Sequence, residues 1–192
     1  MSRTRINLYL NYHEKDPEHY PFFRFHPDPV TDLMFEKNTD QICDCCGSFS
    51  ALMYHGPFHT DLDEPDNICP VCIANGKGAE KYGYEYQDRE MSDPVDDPDI
   101  VDELSLRTPG AFMWINACWR AHCNDYCAYI GAVDAEDLKD PEILKAVQED
   151  LKEGETLEEA VEELCTSDIL VWHLFQCLHC WKYFLYREYI ID

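Results

Sequence analysis

The sequence predicts an α+β fold built from treble-clef or zinc-ribbon-like cysteine knuckles, short antiparallel hairpins and several amphipathic helices. Three observations predict this fold class. Cysteines recur in Cys-x-x-Cys pairs, aromatic and β-branched residues surround those pairs, and apolar residues elsewhere recur at three- and four-residue spacing. With 192 residues, the chain is long enough to bury a core in one domain or two small ones.

The composition limits the classes of partner. Lys and Arg total 15 against 39 Asp and Glu, which gives a formal net charge of −24. Such a surface repels nucleic-acid phosphates and anionic membranes and attracts a basic protein. No apolar run is long enough to span a membrane, and the first residues lack the apolar core of a secretory signal. We therefore expect a cytoplasmic protein whose clustered cysteines hold metal rather than form disulfides.

In the first part of the chain, the sequence predicts a lead-in segment at residues 1–21 and a zinc-knuckle unit at residues 22–90. Pro27 and Pro29 forbid a helix near the start of this unit. Residues 50–54 predict a strand, Gly56 and Pro57 a turn, and residues 73–82 a short helix.

The first cysteine cluster gives the strongest functional signal. Cys43 and Cys46 form one Cys-x-x-Cys pair, and Cys69 and Cys72 form another after 22 intervening residues. Four thiolates can complete a tetrahedral shell around Zn²⁺. Cys45 could also supply a ligand, but the two-residue spacing favours Cys43 with Cys46.

An acidic stretch follows this unit. Residues 85–103 carry nine Asp or Glu against one Arg, and their prolines predict a surface loop, so residues 91–108 are a candidate acidic linker. Residues 109–192 are then predicted as a helical unit with a C-terminal zinc-knuckle hairpin. A helix is expected over 109–130, with Pro109 in its first turn and an apolar face at helical spacing: Phe112, Ile115, Trp119, Cys123 and Tyr126.

A second metal site is predicted from that helix and the last cysteine pair. Cys123 and Cys127 would share a helix face, and Cys177 and Cys180 would form the facing knuckle. His122 could replace one of these ligands, and the spacing of Cys118 and His122 leaves a second pairing open. Cys165 stands alone and is expected in the core. The cofactors expected are therefore two Zn²⁺ ions.

Two acidic helices are predicted between these elements. Asp140 and Pro141 start the first helix, which carries Leu144, Val147 and Leu151, and Thr156 opens the second with a capping box. Fourteen acidic residues and three lysines make this segment, 134–168, a solvated face or a docking face for a basic protein. The residues that point outward are the candidate contacts: Glu158, Glu159, Glu162 and Glu163. Residues 169–177 and 181–191 predict a hairpin around the last cysteine pair.

At these residues the sequence resembles the CbrC-like family of bacterial cysteine-rich proteins. The motifs that match are Phe25-His-Pro-Asp-Pro29, Ile42-Cys-Asp-Cys-Cys-Gly47, Gly56-Pro57, Ile68-Cys-Pro-Val-Cys-Ile-Ala-Asn-Gly76, Ala79-Glu-Lys81, Arg107-Thr-Pro-Gly110, His122-Cys-Asn-Asp-Tyr-Cys127 and Cys177-Leu-His-Cys180. The sequence departs from the pattern in an N-terminal extension, in Asn75 where Asp is common, and in Trp181 where Gly is usual. The resemblance implies a zinc-binding cytosolic protein, and the family name is associated with tolerance to a nuclease-type bacteriocin.

The expected function is therefore a non-enzymatic, zinc-binding immunity protein that binds and neutralises a basic toxin, with a nuclease as the toxin. Closed four-ligand sites support structure rather than hydrolysis. One alternative is a zinc-dependent hydrolase or nuclease that uses His122 and Asp125. Another is a regulatory adaptor that zinc holds in shape.

Overall fold

The computed structural model describes residues 20–60, 62–113 and 118–190. Nearly all of the predicted lead-in segment, residues 1–21, lies outside these ranges. The first half of the chain contains β1 (Phe35–Ile42), β2 (Phe49–Tyr54), α1 (Pro70–Ala74) and α2 (Lys77–Tyr82). The second half contains α3 (Pro98–Arg107), β3 (Ala121–His122), β4 (Asp125–Tyr126), β5 (Ala128–Ala132), a 3₁₀ turn (Asp137–Lys139), α4 (Pro141–Glu149), α5 (Leu157–Thr166), β6 (Leu170–Gln176) and β7 (Tyr183–Tyr189).

The predicted α+β class is confirmed. Strands β1 and β2 pair as one antiparallel hairpin, β3 and β4 pair as another, and β5, β6 and β7 form a three-stranded antiparallel sheet in that order. None of the described helices has both the length and the apolar character that crossing a bilayer demands.

The first half packs around the β1–β2 hairpin. Phe35 and Tyr54 face each other across the two strands, and their rings meet edge to face at 5.7 Å. The two short helices α1 and α2 complete this core, which includes Ile73 and three cysteines: Cys43, Cys69 and Cys72. These cysteines are therefore as much core residues as candidate ligands.

The predicted helix over 109–130 is wrong. The described residues from 118 onward form β3, β4 and the start of the three-stranded sheet. Trp119 and Tyr126 are buried as expected, but Phe112 is exposed, and Ile115 lies outside the described residues. Gly131 lies at an irregularity in the β5–β6 register with φ +123°. The apolar spacing misled because the described residues of this set do not share one buried face: Trp119 and Tyr126 are buried, whereas Phe112 and Cys123 are exposed.

The acidic segment is also not wholly a loop. Pro98–Arg107 is helix α3, which starts with Asp97 as N-cap, because its side chain accepts a hydrogen bond from the backbone N–H of Asp99. Leu104 on this helix shares one core cluster with Phe25 and Trp119. Three of the predicted ranges thus pack on one another, and the domain boundaries at 22–90, 91–108 and 109–192 stay a prediction.

The two acidic helices start where the sequence predicts. The Asp140 side chain accepts from the backbone N–H of Glu142, and Thr156 forms a reciprocal capping box with Glu159. Both helices pack on the three-stranded sheet through a core that contains Val147, Ala160 and Trp172.

Cys165 lies on the outer side of α5 and is exposed, so its expected place in the core is wrong. Ala160 is the buried residue of this helix, and Leu157, Val161 and Leu164 are only half-buried.

Candidate metal centres

The first cluster brings four thiols to one point at the base of the β1–β2 hairpin. Cys43, Cys46, Cys69 and Cys72 place their sulfur atoms within 4.8 Å of one another, and the Sγ atoms of Cys46 and Cys69 are 3.9 Å apart. A tetrahedral zinc with Zn–S bonds of about 2.3 Å has sulfur–sulfur edges of about 3.8 Å. The four residues therefore form a group that could hold a tetrahedral metal ion.

The turn after β1 has the backbone geometry of a zinc knuckle. Gly47 has a left-handed φ of +71°, which lets its N–H donate back to the Cys43 carbonyl at 2.8 Å. The Cys43 N–H donates to the Ser48 carbonyl at 2.9 Å and closes the turn. The sequence Cys-x-x-Cys-Gly folds this way because glycine accepts the left-handed conformation at no steric cost.

The other two thiols flank the first turn of α1. Cys69 is the N-cap and Pro70 occupies the first helical position, so Cys72 falls one turn later on the same side. The Cys69 N–H lies 3.4 Å from the Cys43 sulfur and donates to it. A backbone hydrogen bond of this kind orients the sulfur atom of a metal ligand.

The environment separates the acidities of these thiols. A hydrogen bond from the Ser48 side chain lowers the pKa of Cys46 to about 6, whereas burial raises the pKa of Cys69 to about 11 and that of Cys72 further. A bound cation would convert all four to thiolates, so metal binding at this cluster releases protons.

The second cluster lies where the β3–β4 hairpin meets the β6–β7 turn. Its four donors are His122, Cys123, Cys177 and Cys180, again within 4.8 Å of one another. His122 Nδ1 lies 3.2 Å from the Cys123 sulfur, 3.3 Å from that of Cys180 and 3.5 Å from that of Cys177. The nitrogen–sulfur edge of a tetrahedral zinc site is about 3.5 Å. This cluster could also hold a metal ion.

The second knuckle repeats the first despite its departure from the usual glycine. Trp181 has a φ of +64°, its N–H donates to the Cys177 carbonyl at 3.1 Å, and the Cys177 N–H donates to the Lys182 carbonyl at 2.9 Å. These are the same bonds that Gly47 and Cys43 make. The tryptophan therefore keeps the knuckle but adopts a conformation that is strained for a residue with a side chain.

The remaining two donors come from a tight turn rather than from a helix. His122 pairs with Asp125 across the β3–β4 hairpin, and the two-residue loop between them, Cys123 and Asn124, has φ values of +56° and +55°. Two positive φ values mark a type I′ turn, which suits antiparallel strands. The turn presents consecutive residues, His122 and Cys123, to the knuckle.

The structure does not bring Cys127, the predicted fourth ligand, to the second cluster. It is buried, its N–H donates to the Arg120 carbonyl at 2.9 Å, and its carbonyl accepts from Trp119 Nε1 at 2.8 Å. Its relation to Cys123 depended on a helix, whereas here β4 lies between the two residues. His122, the possible replacement, takes that place, and Cys118 is not part of the group either.

His122 and Asp125, the pair considered for a hydrolase, are engaged in other contacts. His122 Nδ1 faces three sulfur atoms. The Asp125 carboxylate accepts from Arg24 Nη1 at 2.7 Å and is 2.9 Å from His179 Nε2. This arrangement does not favour Asp125 as a general base, because its carboxylate is already hydrogen-bonded to Arg24 and His179.

The four glutamates proposed as partner contacts are not equivalent. Glu159 serves the capping box of α5, and Glu163 accepts a hydrogen bond from the Tyr189 hydroxyl at 3.3 Å. Glu158 and Glu162 are exposed. Glu158 and Glu162 can therefore be substituted without loss of a helix cap or of a tertiary contact that the structure records.

Sequence reasoning missed Arg24 and His179. Arg24 is 101 positions from the Asp125 that it contacts, so no local pattern could have indicated the pair. His179 was visible inside the last Cys-x-x-Cys motif, and that position beside two candidate ligands was the available signal.

Comparison with known proteins identifies the family of the chain. Residues 20–189 match the family described as "Uncharacterised protein family (UPF0167)". The chain is 31% identical over 179 residues to UPF0167 protein Mb2317 of Mycobacterium bovis and equally to UPF0167 protein MT2352 of Mycobacterium tuberculosis, covering 90% of this chain and 95% of each relative. It is 34% identical over 120 residues to UPF0167 protein PA1536 of Pseudomonas aeruginosa, covering 62% of this chain and 66% of that protein.

No solved structure is significantly similar to the chain. The match to the family extends from the segment before the first knuckle to the last residue of β7, and so includes every candidate ligand. The chain belongs to the UPF0167 family.

Proposed function

We propose that this protein is a non-enzymatic zinc-binding protein whose two zinc centres hold an acidic surface in shape for a basic protein partner. The observation that carries the proposal is the convergence of four donor groups in each cluster. Structural zinc sites take four protein ligands, whereas catalytic sites keep one position open for water or substrate. Sulfur-rich donor sets suit zinc better than the harder divalent cations.

The partner side of the proposal is supported by charge. A net charge of −24 produces a field that speeds the approach of a basic protein, and Glu158 and Glu162 are exposed on α5. The resemblance to the CbrC-like proteins supports a bacterial nuclease toxin as that partner and an immunity or tolerance role in the cytoplasm. Immunity proteins that block a positively charged active-site cleft gain from the same steering.

Metal content tests the first half of the proposal. Elemental analysis of freshly purified, reduced protein should find two equivalents of zinc. One equivalent would leave a single centre and contradict the other. Less than half an equivalent of any metal would contradict both.

Binding kinetics test the second half. Cells that express the chain should survive a nuclease-type bacteriocin, and the purified cytotoxic domain of that bacteriocin should bind with an association rate that falls steeply with salt. Replacing Glu158 and Glu162 by lysine should slow association on the order of tenfold with zinc content unchanged.

A matched control changes the charge by the same amount elsewhere. Glu36→Lys with Asp40→Lys alters two exposed residues of β1. If α5 makes the contacts, this control slows association less than the α5 pair does. Binding that ignores salt and both pairs of substitutions would contradict an electrostatic docking face.

A further inference from the structure

A short network of charged side chains joins the two turns that carry the second cluster. Asp125 directly follows the Cys123–Asn124 turn, and His179 lies between the two cysteines of the knuckle. His179 Nε2 is 2.9 Å from Asp125 Oδ2, so its N–H donates to that oxygen. The bond therefore crosses from one ligand-bearing turn to the other.

The Asp125 carboxylate is buried and does not belong to a solvent-exposed ion pair. Its side chain is only 7% exposed. Arg24 Nη1 donates to the same carboxylate at 2.7 Å, while Arg24 Nε donates to Glu103 on α3 at 2.8 Å. The Asp125 Oδ1 atom accepts from the backbone N–H of Tyr126. A buried carboxylate with these partners has little freedom to move.

The first cluster contains a related contact. Asp44 lies between Cys43 and Cys46, and its carboxylate accepts from the backbone N–H of Asn67 at 2.8 Å, two residues before Cys69. In both knuckles, a side chain between the two cysteines thus bonds to the segment that carries the other two donors. In the first cluster the partner is a backbone N–H, whereas in the second it is the Asp125 carboxylate, so either member of the second bond can be substituted.

We propose that Asp125 is the positioning residue of the second metal centre, where it holds the knuckle through His179 and is itself held by Arg24. It does not ligate the ion. It fixes the distance between His122 and Cys123 on one turn and Cys177 and Cys180 on the other. The inference rests on the proposed metal occupancy of this cluster. Hydrogen bonds behind the ligands typically contribute about 10- to 100-fold to metal affinity.

The cleanest test changes His179, whose side chain is 54% exposed and so contributes little to the core. The full-length, zinc-loaded protein is titrated with a chromophoric chelator, and release from each centre is followed. His179→Leu should weaken the second zinc by about 10- to 100-fold and leave the first unchanged. His179→Gln, which keeps an N–H donor at a similar reach, should recover most of the loss.

Asp125→Asn tests the partner of that bond, and Asp137→Asn is its matched control. Asp137 is also buried and accepts the backbone N–H of Asp134 at 3.0 Å, but it belongs to neither cluster. Cobalt-loaded protein reports each centre by its visible absorption. Asp125→Asn should alter the cobalt spectrum and the retention of the second centre alone, and Asp137→Asn should alter neither.

Three outcomes would overturn the inference. The first is that both His179→Leu and His179→Gln retain zinc as tightly as the wild-type protein does. Asp137→Asn could lose the second zinc as readily as Asp125→Asn, which would indicate general destabilisation. If the wild-type protein binds a single zinc, the second centre itself is contradicted, and with it this role of Asp125. If the wild-type protein binds two zincs and the variants retain both equally well, the positioning role alone is contradicted.

Discussion

The two knuckles share their backbone bonds but differ in what surrounds them. In the first cluster, Cys43, Cys69 and Cys72 are buried in the core of the first half, and only Cys46 is exposed. In the second, Cys177 is buried, His122 is half-buried, and Cys123 and Cys180 are exposed. This difference shows that one local motif can lie inside a hydrophobic core or can join two turns at the end of a sheet.

The consequences for stability follow from the neighbouring structure. Among the described residues, the cysteines of the first half lie in a core formed by a two-stranded hairpin and two short helices, with Leu106 of α3 packed against it, and such a small unit depends on additional cross-links. The three-stranded sheet beside the second cluster has α4, α5 and a separate core that contains Trp172 and Leu174. Loss of metal should therefore unfold the first half and only loosen the turns of the second.

The largest expected effect comes from removing a buried ligand of the first cluster. Cys69→Ser should abolish the first zinc and most of the ordered structure of this half, because structural zinc contributes on the order of 10 kcal/mol of folding free energy. Cys180→Ser should lower the melting temperature much less. Equal losses, measured by thermal unfolding at fixed zinc, would remove the distinction between the two centres.

Metal removal tests the same comparison without a mutation. Two exposed sulfurs and a histidine should let a chelator reach the second ion first, so graded chelation should release zinc in two phases. Far-ultraviolet circular dichroism should change mainly in the slower phase, when the first centre empties. A single phase, or release from the first centre first as judged by the cobalt spectra, would reverse the expected order.

A smaller effect tests whether the two knuckle backbones are equivalent. A Cβ atom at Gly47 would meet no atom within 4 Å, so Gly47→Ala should cost about 1 kcal/mol from the left-handed backbone alone. At the second knuckle, Trp181→Gly should be more stable than Trp181→Ala by a similar amount, since both remove the indole. Denaturant titrations measure each difference. Alanine as stable as glycine at position 181 would show that Trp181 carries no backbone strain.

The smallest effect is expected at Cys165. Because this thiol is exposed on α5, Cys165→Ser should change the free energy of unfolding by less than about 0.5 kcal/mol and leave both zincs in place. Alkylation of the native protein should label this residue. A large loss of stability would place Cys165 in the core after all.

Local rules predicted much of the fold, and their success has a physical cause. The N-caps at Asp140 and Thr156 and the turn at Gly47 depend on atoms within a few residues of each other. The same rules failed over 109–130, where the apolar residues at helical spacing include the exposed Phe112 and Cys123 and therefore do not mark one buried face. They also placed Cys165 inside, because a lone cysteine carries no sign of which side of a helix it occupies.

The candidate sites divide along the same line. The first cluster could be proposed from spacing, because both of its pairs are local motifs. The second could be proposed only in part. The choice of His122 over Cys127 depended on a turn whose residues have positive φ values, and Arg24 depended on a contact across 101 positions.

The sequence by itself determined the acidity of the surface, the paired cysteine motifs and the starts of the acidic helices, since each follows from residues close together in the chain. The tertiary structure alone decided which donors complete the second cluster and that Asp125 lies beside His179 and Arg24. It also decided that the first cluster lies mostly inside a core, whereas two cysteines of the second are exposed. The physical reason is that burial and long-range contact depend on how the elements pack, and packing is set by the whole chain.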